Sequence, residues 1–151
     1  MPSIAPFVAS SDEAVKRMLK LAQPKPGEVL FDLGCGDGKI ITTAAKEYGV
    51  KAVGIELRED LVKRALERVH SLGLDQNVKV IHGDIFDQDI DGANIVTLYL
   101  TTHANEQIKP KLEKELKPGS RVVSNCYEIP GWKPTQVDDM GFSKIYLYVK
   151  K

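Results

Sequence analysis

Cysteine is nearly absent from this chain of 151 residues: Cys35 and Cys126 stand alone. Two lone cysteines make neither a disulfide framework nor a zinc site. The three histidines, His70, His82 and His103, lack the spacing of metal ligands, so no metal is expected. Excess charge of either sign is also missing, because 21 Lys and Arg balance 21 Asp and Glu. No global field therefore draws the chain to nucleic acid or anionic lipid, although a local basic patch can persist under a neutral total. Sixteen of the 21 basic residues are lysines, a choice that suits a solvated surface more than a phosphate clamp. No window approaches the ~20 apolar residues of a membrane span. The start, Met1-Pro2-Ser3-Ile4-Ala5-Pro6, lacks the basic and apolar regions of a secretory signal. Internal repeats and linkers are absent as well. These absences lead us to expect a cytoplasmic protein with no membrane partner. They also point to one domain over residues 1–151, with 1–24 as an N-terminal segment and helix.

What is present is an alternation of two periodicities. Ser10-Ser11-Asp12-Glu13 predicts a helix start, with Ser10 and Glu13 spaced as a capping box. Val15, Met18, Leu19, Leu21 and Ala22 then form a helical stripe that Pro24 and Pro26 end. Strands are predicted at 28–33, 51–56, 78–82, 93–100, 121–126 and 145–150, with a short one at 136–139. Helices are predicted at about 39–48, across Leu61 to Val69, and at about 105–116, with Pro110 near the start of the last. The stretch from Asp84 to Gly92 is too short for a crossover helix and reads as a turn. Strands alternating with helices predict an α/β fold: a Rossmann-like, doubly wound, mostly parallel sheet of about seven strands. The last two strands have no helix between them, which predicts an antiparallel C-terminal hairpin.

The densest information lies in Phe31-Asp32-Leu33-Gly34-Cys35-Gly36-Asp37-Gly38, where an apolar strand runs through three glycines into a helix. Glycines at such a turn let backbone approach a ligand closely. A loop that holds pyrophosphate depends on bare amides and a helix N-terminus, both partly positive. Here Asp32 and Asp37 bracket the glycines and would repel phosphate. They suit a cationic ligand such as S-adenosylmethionine, which carries a sulfonium and an ammonium. The dinucleotide fingerprint G-x-G-x-x-G is not matched by Gly34, Gly36 and Gly38, and Gly38-Lys39-Ile40 is not the end of a P-loop.

Ligands of open α/β sheets bind at the carboxyl ends of the strands. Glu56 ends strand two, with Leu57 after it, and a carboxylate there can accept from both hydroxyls of a ribose. Asp84 follows strand three and can accept from an adenine amino group, while Ile85 lies against the ring. The fourth end, Tyr99-Leu100-Thr101-Thr102-His103-Ala104-Asn105, would face the reacting end of the cofactor. Each feature also has a plain structural reading: glycines serve tight turns, Glu56 suits a solvated strand end and Asp84 a turn. Their joint order at successive strand ends is what favours a cofactor site.

Asp32-Leu33-Gly34-Cys35-Gly36-Asp37-Gly38 resembles motif I of the class I, seven-strand S-adenosylmethionine-dependent methyltransferases. Glu56 and Asp84 match that family's ribose and adenine acids. The resemblance implies that Asp32, Gly34, Cys35, Gly36, Asp37, Gly38, Glu56, Leu57, Asp84, Ile85 and Tyr99 hold the cofactor, with Cys35 lending its backbone N–H. A narrower resemblance runs from Tyr99 to Ser124 and through Tyr127-Glu128-Ile129-Pro130-Gly131-Trp132. These stretches are similar to the small archaeal protein lysine methyltransferases and their mitochondrial relatives. Pro6-Phe7-Val8-Ala9-Ser10 resembles their Tyr-Val-Pro-Thr-type segment, but Phe7 replaces Tyr and Ala9 replaces Pro, so a hydroxyl is missing. No Asn/Asp-Pro-Pro-Tyr/Phe run follows strand four, which argues against the enzymes that methylate nucleic-acid or glutamine nitrogens.

The resemblance implies a protein lysine as methyl acceptor, with a small molecule, an RNA or a non-catalytic cofactor-binding role as alternatives. The absence of an inserted cap over the site fits a bulky acceptor. Methylating an amine needs deprotonation, desolvation and in-line placement more than an elaborate acid–base apparatus. Tyr99, His103, Asn105 and Glu128 are the candidates for this work. Tyr99 reads equally as a packing residue, His103 as a helix-start residue and Glu128 as a solvated loop carboxylate. Trp132 reads as a plug at the edge of the core.

Overall fold

A computed structural model describes residues 9–151. The Pro6-Phe7-Val8 part of the early segment lies outside the described residues. Helix α1 (Asp12–Ala22) starts one residue later than the capping-box pattern predicts. Ser11 is the cap, its hydroxyl accepting from the Ala14 amide at 3.0 Å, while Glu13 turns outward to pair with Arg17. The capping box fails because Glu13 finds a cation one helical turn ahead, at the favourable i,i+4 spacing.

Strands β1 (Val29–Leu33), β2 (Lys51–Glu56), β3 (Val78–His82), β4 (Ile95–Leu98) and β5 (Arg121–Asn125) pair in parallel. Strands β6 (Gln136–Asp139) and β7 (Lys144–Val149) form the expected antiparallel hairpin. The sheet order is β3-β2-β1-β4-β5-β7-β6, so β7 inserts antiparallel beside β5 and leaves β6 at the edge. Successive strands move outward in one direction from β1 to β3, then return to its other side at β4. This reversal makes the carboxyl ends of β1 and β4 the topological switch point, where open sheets bind ligands.

Alternation along each strand divides the core between the two faces of the sheet. Leu30, Ala52, Ile95 and Val123 meet α1, α2 (Lys39–Tyr48) and α3 (Glu59–Ser71) on one face. Leu33, Ile55, Val96, Leu98 and Val122 meet α4 (Thr102–Glu115) on the other, together with Ile85, Ile90 and Ile129 from irregular segments. The stretch between β3 and β4 is a series of turns, as expected.

Most boundaries fall within a residue or two of the sequence reading, and the differences that bear on the site lie between β4 and α4. Strand β4 ends at Leu98 rather than Leu100, because Thr101 already caps α4 through its hydroxyl to the Ala104 amide at 3.1 Å. Helix α4 therefore begins at Thr102, and Pro110 sits in its interior rather than near its start. A proline there removes one i→i−4 hydrogen bond. Ala104, Ile108 and Leu112, all fully buried, hold the helix on the sheet across that gap.

Candidate active site

The glycine loop leaves β1 at Leu33 and turns at Gly34, whose φ of +84° is costly for a side chain. Four of its amides are already taken up within the protein. Gly34 and Cys35 both donate to the Ile55 carbonyl, at 2.8 and 2.9 Å, and Gly38 donates to the Cys35 carbonyl at 3.0 Å. The Gly36 amide donates to Glu56 Oε1 at 2.8 Å. The expectation that the Cys35 N–H faces a ligand is thus overturned: hydrogen bonding to β2 already consumes it. With these four amides spent, the loop offers fewer donors to a pyrophosphate, which agrees with the unmatched glycine spacing.

What the loop offers instead is carboxylate. Asp32, 3% exposed, accepts from Thr97 Oγ1 across the β1–β4 register at 2.9 Å. Burial pushes its carboxyl up to about 7; the Thr97 hydroxyl opposes this and nearby Glu56 adds to it. Glu56 ends β2 and spends one oxygen on Gly36, the other on the Arg58 amide at 2.9 Å. A carboxylate has about four lone-pair sites, so each oxygen can still accept another donor. Asp84 accepts from the Phe86 amide at 3.0 Å, which fixes the turn that buries Ile85. Leu57 is half-buried between Glu56 and the start of α3, and its carbonyl meets His82 Nε2 at 3.0 Å.

Asp37 takes a different part from the one its position predicts. Arg68 of α3 binds its carboxylate at 3.2 Å and its carbonyl at 3.0 Å, and Arg64 approaches at 4.0 Å. Asp37 therefore ties the loop to α3 rather than presenting an unpaired charge to a ligand. Cys35 is buried, and burial followed by the charges of Asp32 and Glu56 pushes its thiol up, which removes any nucleophilic role.

Among the acceptor candidates, Tyr99 is half-buried just beyond β4, its ring 6.5 Å from that of Tyr127 at an interplanar angle of 27°. Burial, then Cys126 and Tyr127, push its hydroxyl up, so it stays protonated near neutral pH. Asn105 does not face the site as expected. It is fully buried in α4, with Nδ2 on Ser124 Oγ, the Tyr127 carbonyl and the Glu128 carbonyl at 3.1–3.2 Å. Burial beneath the turn after β5 removes it from contact with an acceptor. His103 is exposed in the first turn of α4, and Glu128 is exposed in the loop after β5. Trp132 packs against Tyr148, with ring centroids 5.9 Å apart, as a plug at the core edge would. Among the described residues no cluster of His, Cys, Asp or Glu could hold a metal ion.

Four contributors escaped the sequence reading. Thr97 holds Asp32, and the one polar residue inside the apolar run of β4 was its signal. Gly54 on β2 makes room for the loop: a Cβ there would lie 2.6 Å from Cys35 Sγ and 2.8 Å from Ile41 Cδ1. A glycine inside a strand pattern signals such an approach. Arg68 and Tyr127 had no local signal, since their partners lie on other elements.

These features fit S-adenosylmethionine: buried and strand-end acids for cationic and hydroxyl groups, and an apolar side chain, Ile85, beside Asp84. A model of the ANTKMT methyltransferase domain family matches residues 32–136. A protein-lysine N-methyltransferase of Saccharolobus islandicus (strain REY15A) is 44% identical over 149 residues, covering 95% of this chain and 92% of that protein. The adenine nucleotide translocase lysine N-methyltransferase of Mus musculus is 32% identical over 146 residues. That alignment covers 95% of this chain but only 62% of the mouse protein. A solved structure described as an RNA methyltransferase from Salinibacter ruber, in complex with S-adenosyl-L-homocysteine, superposes with a TM-score of 0.92 at 38% identity. That superposition covers 94% of this chain and 93% of the other.

Proposed function

The chain belongs to the ANTKMT methyltransferase domain family and is an S-adenosylmethionine-dependent methyltransferase; we propose that it methylates lysine side chains of a protein. The observation that carries the lysine reading is the 44% identity to a protein-lysine N-methyltransferase across nearly the whole of both chains. The site supports it with a carboxylate-lined cofactor end and two half-buried tyrosines at the acceptor end. We place this protein in the cytoplasm, a reducing compartment suited to the free thiols of Cys35 and Cys126. The seven strands of the described residues join one sheet, and we take residues 1–151 as one working unit.

When bound, S-adenosylmethionine supplies an electrophilic methyl carbon, and its sulfur keeps the bonding electron pair as the acceptor nitrogen takes the methyl group. Asp32 gives the cofactor end negative charge, and Thr97 fixes its orientation. Glu56 braces the glycine loop through Gly36 and retains lone pairs for ribose hydroxyls. Asp84 and Ile85 form the adenine end. Tyr99 stays neutral, so it orients the acceptor amine rather than taking its proton. The amine loses that proton to water before it attacks, and desolvation at the site favours the uncharged form.

An RNA acceptor is the second reading, because the Salinibacter ruber structure is described as an RNA methyltransferase. Methyl-labelled S-adenosylmethionine added to separated protein, RNA and small-molecule fractions tests both. Label in protein, released as methylated lysine on hydrolysis, is expected. Label confined to RNA or to small molecules would replace the lysine reading, and no label in any fraction would leave a cofactor-binding module.

A further inference from the structure

We propose that Tyr127, stacked on Tyr99, forms an aromatic wall of the pocket that receives the acceptor lysine, and that Asn105 is the positioning residue that holds this wall. The proposal rests on the lysine reading above. Strands β4 and β5 are parallel neighbours with Leu98 opposite Ser124, so Tyr99, just past the end of β4, lies beside Asn125, the last residue of β5. They lie at the carboxyl edge that also carries Asp32, Glu56 and the glycine loop.

The chain reverses at once after β5. Cys126 has a φ of +73°, one of only two non-glycine residues described with a left-handed backbone. The Tyr127 amide donates to the Asn125 carbonyl at 2.9 Å, and the Cys126 amide donates to the Lys144 carbonyl at 2.7 Å. This tight, unfavourable turn brings the Tyr127 ring back onto Tyr99. A linear exit from β5 would carry it away from the switch point.

Polar groups beneath the turn hold it in place. Ser124 Oγ donates to the Tyr127 carbonyl at 2.5 Å, and Asn105 Nδ2 reaches that carbonyl at 3.2 Å and the next at 3.1 Å. Asn105 Oδ1 is buried without a partner among the described residues. Exchanging nitrogen and oxygen would turn the amide oxygen toward two carbonyls, so the orientation follows from the network. A left-handed cysteine in the turn and an orphaned amide oxygen beneath it both cost stability. Such costs collect where a surface must be held in one shape for function.

The two rings suit a lysine. A protonated amine is attracted to an aromatic face, and a methylated one remains a cation with more apolar surface. The wall therefore holds the acceptor before transfer and takes the methylated product again. Stepwise addition of more than one methyl group to the same lysine is the expected consequence.

The test uses the full chain loaded with S-adenosylhomocysteine and carrying isotope-labelled tyrosine. N-acetyl-lysine N-methylamide and its trimethyl-lysine counterpart are titrated and followed by ring resonances. The Tyr99 and Tyr127 signals should shift, more strongly with the trimethyl probe. Tyr127→Phe should keep the response, and Tyr127→Leu should weaken probe binding about tenfold. S-adenosylhomocysteine affinity, read by calorimetry, should stay within about twofold in both variants, as expected for a residue outside the cofactor end. Asn105→Asp places a carboxylate against the carbonyls, and should abolish the Overhauser contact between the rings while cofactor affinity persists. Equal probe binding by Tyr127→Leu, or shifts confined to other tyrosines, would overturn the wall while leaving the lysine reading intact. No response from the unsubstituted protein, with label entering only RNA in the fractionation above, would overturn both.

Discussion

At the scale of single residues, Asp32 decides the electrostatics of the site. Its carboxyl is raised to about 7, chiefly by burial, whereas an unfolded chain titrates near ~3.9. The folded protein therefore retains a proton between about pH 4 and about pH 7 that the unfolded chain has lost. That contribution to stability is fully present below the unfolded value and is lost as pH rises through about 7. A cationic ligand favours the ionised form, so binding opposes this loss and releases a proton. Calorimetric affinity for S-adenosylmethionine should rise from about pH 6 to about pH 8, and Asp32→Asn should flatten the rise. Thr97→Val removes the hydrogen bond that lowers the value, and should move the rise to higher pH. The places of Asp32, Glu56 and Asp84 at or just past strand ends were legible in the sequence, because periodicity marks each of those strands. The pairing of Asp37 with Arg68 and the burial of Asn105 were not, because each partner lies on another element, 31 residues away for Arg68.

At the scale of elements, the glycine loop works because β2 yields space to it. Gly54 lies beneath Cys35, and any Cβ there collides with Cys35 Cβ at 2.7 Å. Gly54→Ala should cost about 1–3 kcal/mol in denaturant unfolding, the range for overpacking. It should also weaken cofactor binding by displacing the loop that carries Gly36 toward Glu56. Helix α4 shows the opposite case, a local flaw overridden by tertiary packing. Pro110 lies exposed inside the helix and leaves the Glu106 carbonyl without its usual amide donor. Pro110→Ala should stabilise the protein by as much as about 3 kcal/mol, read as a higher unfolding midpoint. The sequence pattern placed this proline near the helix start because a cap at Thr101 competes directly with a longer β4, and composition cannot weigh the two. The antiparallel hairpin of β6 and β7 was legible from the missing helix between them. The insertion of β7 beside β5 was not, since either edge satisfies the same alternation.

At the scale of the whole molecule, the two faces of one sheet divide the labour. The face of α1, α2 and α3 supports the acids and the glycine loop, and the face of α4 supports the turn that carries Tyr127. Ligand bound only by the folded state should stabilise the whole sheet. S-adenosylhomocysteine at about 100 times its Kd should add about 2.7 kcal/mol to the unfolding free energy by mass action. The sequence by itself determined the alternating α/β architecture, the order of the acids at successive strand ends and the cationic character of the ligand. It could do so because periodicity, glycine turns and side-chain charge are local properties written in consecutive residues. Only the tertiary structure decided which amides the loop spends inward, which carboxylate is tied to an arginine and which tyrosine meets Tyr99. Those outcomes depend on strand order and on burial, and both arise when residues distant in the chain compete for the same space and the same hydrogen bonds.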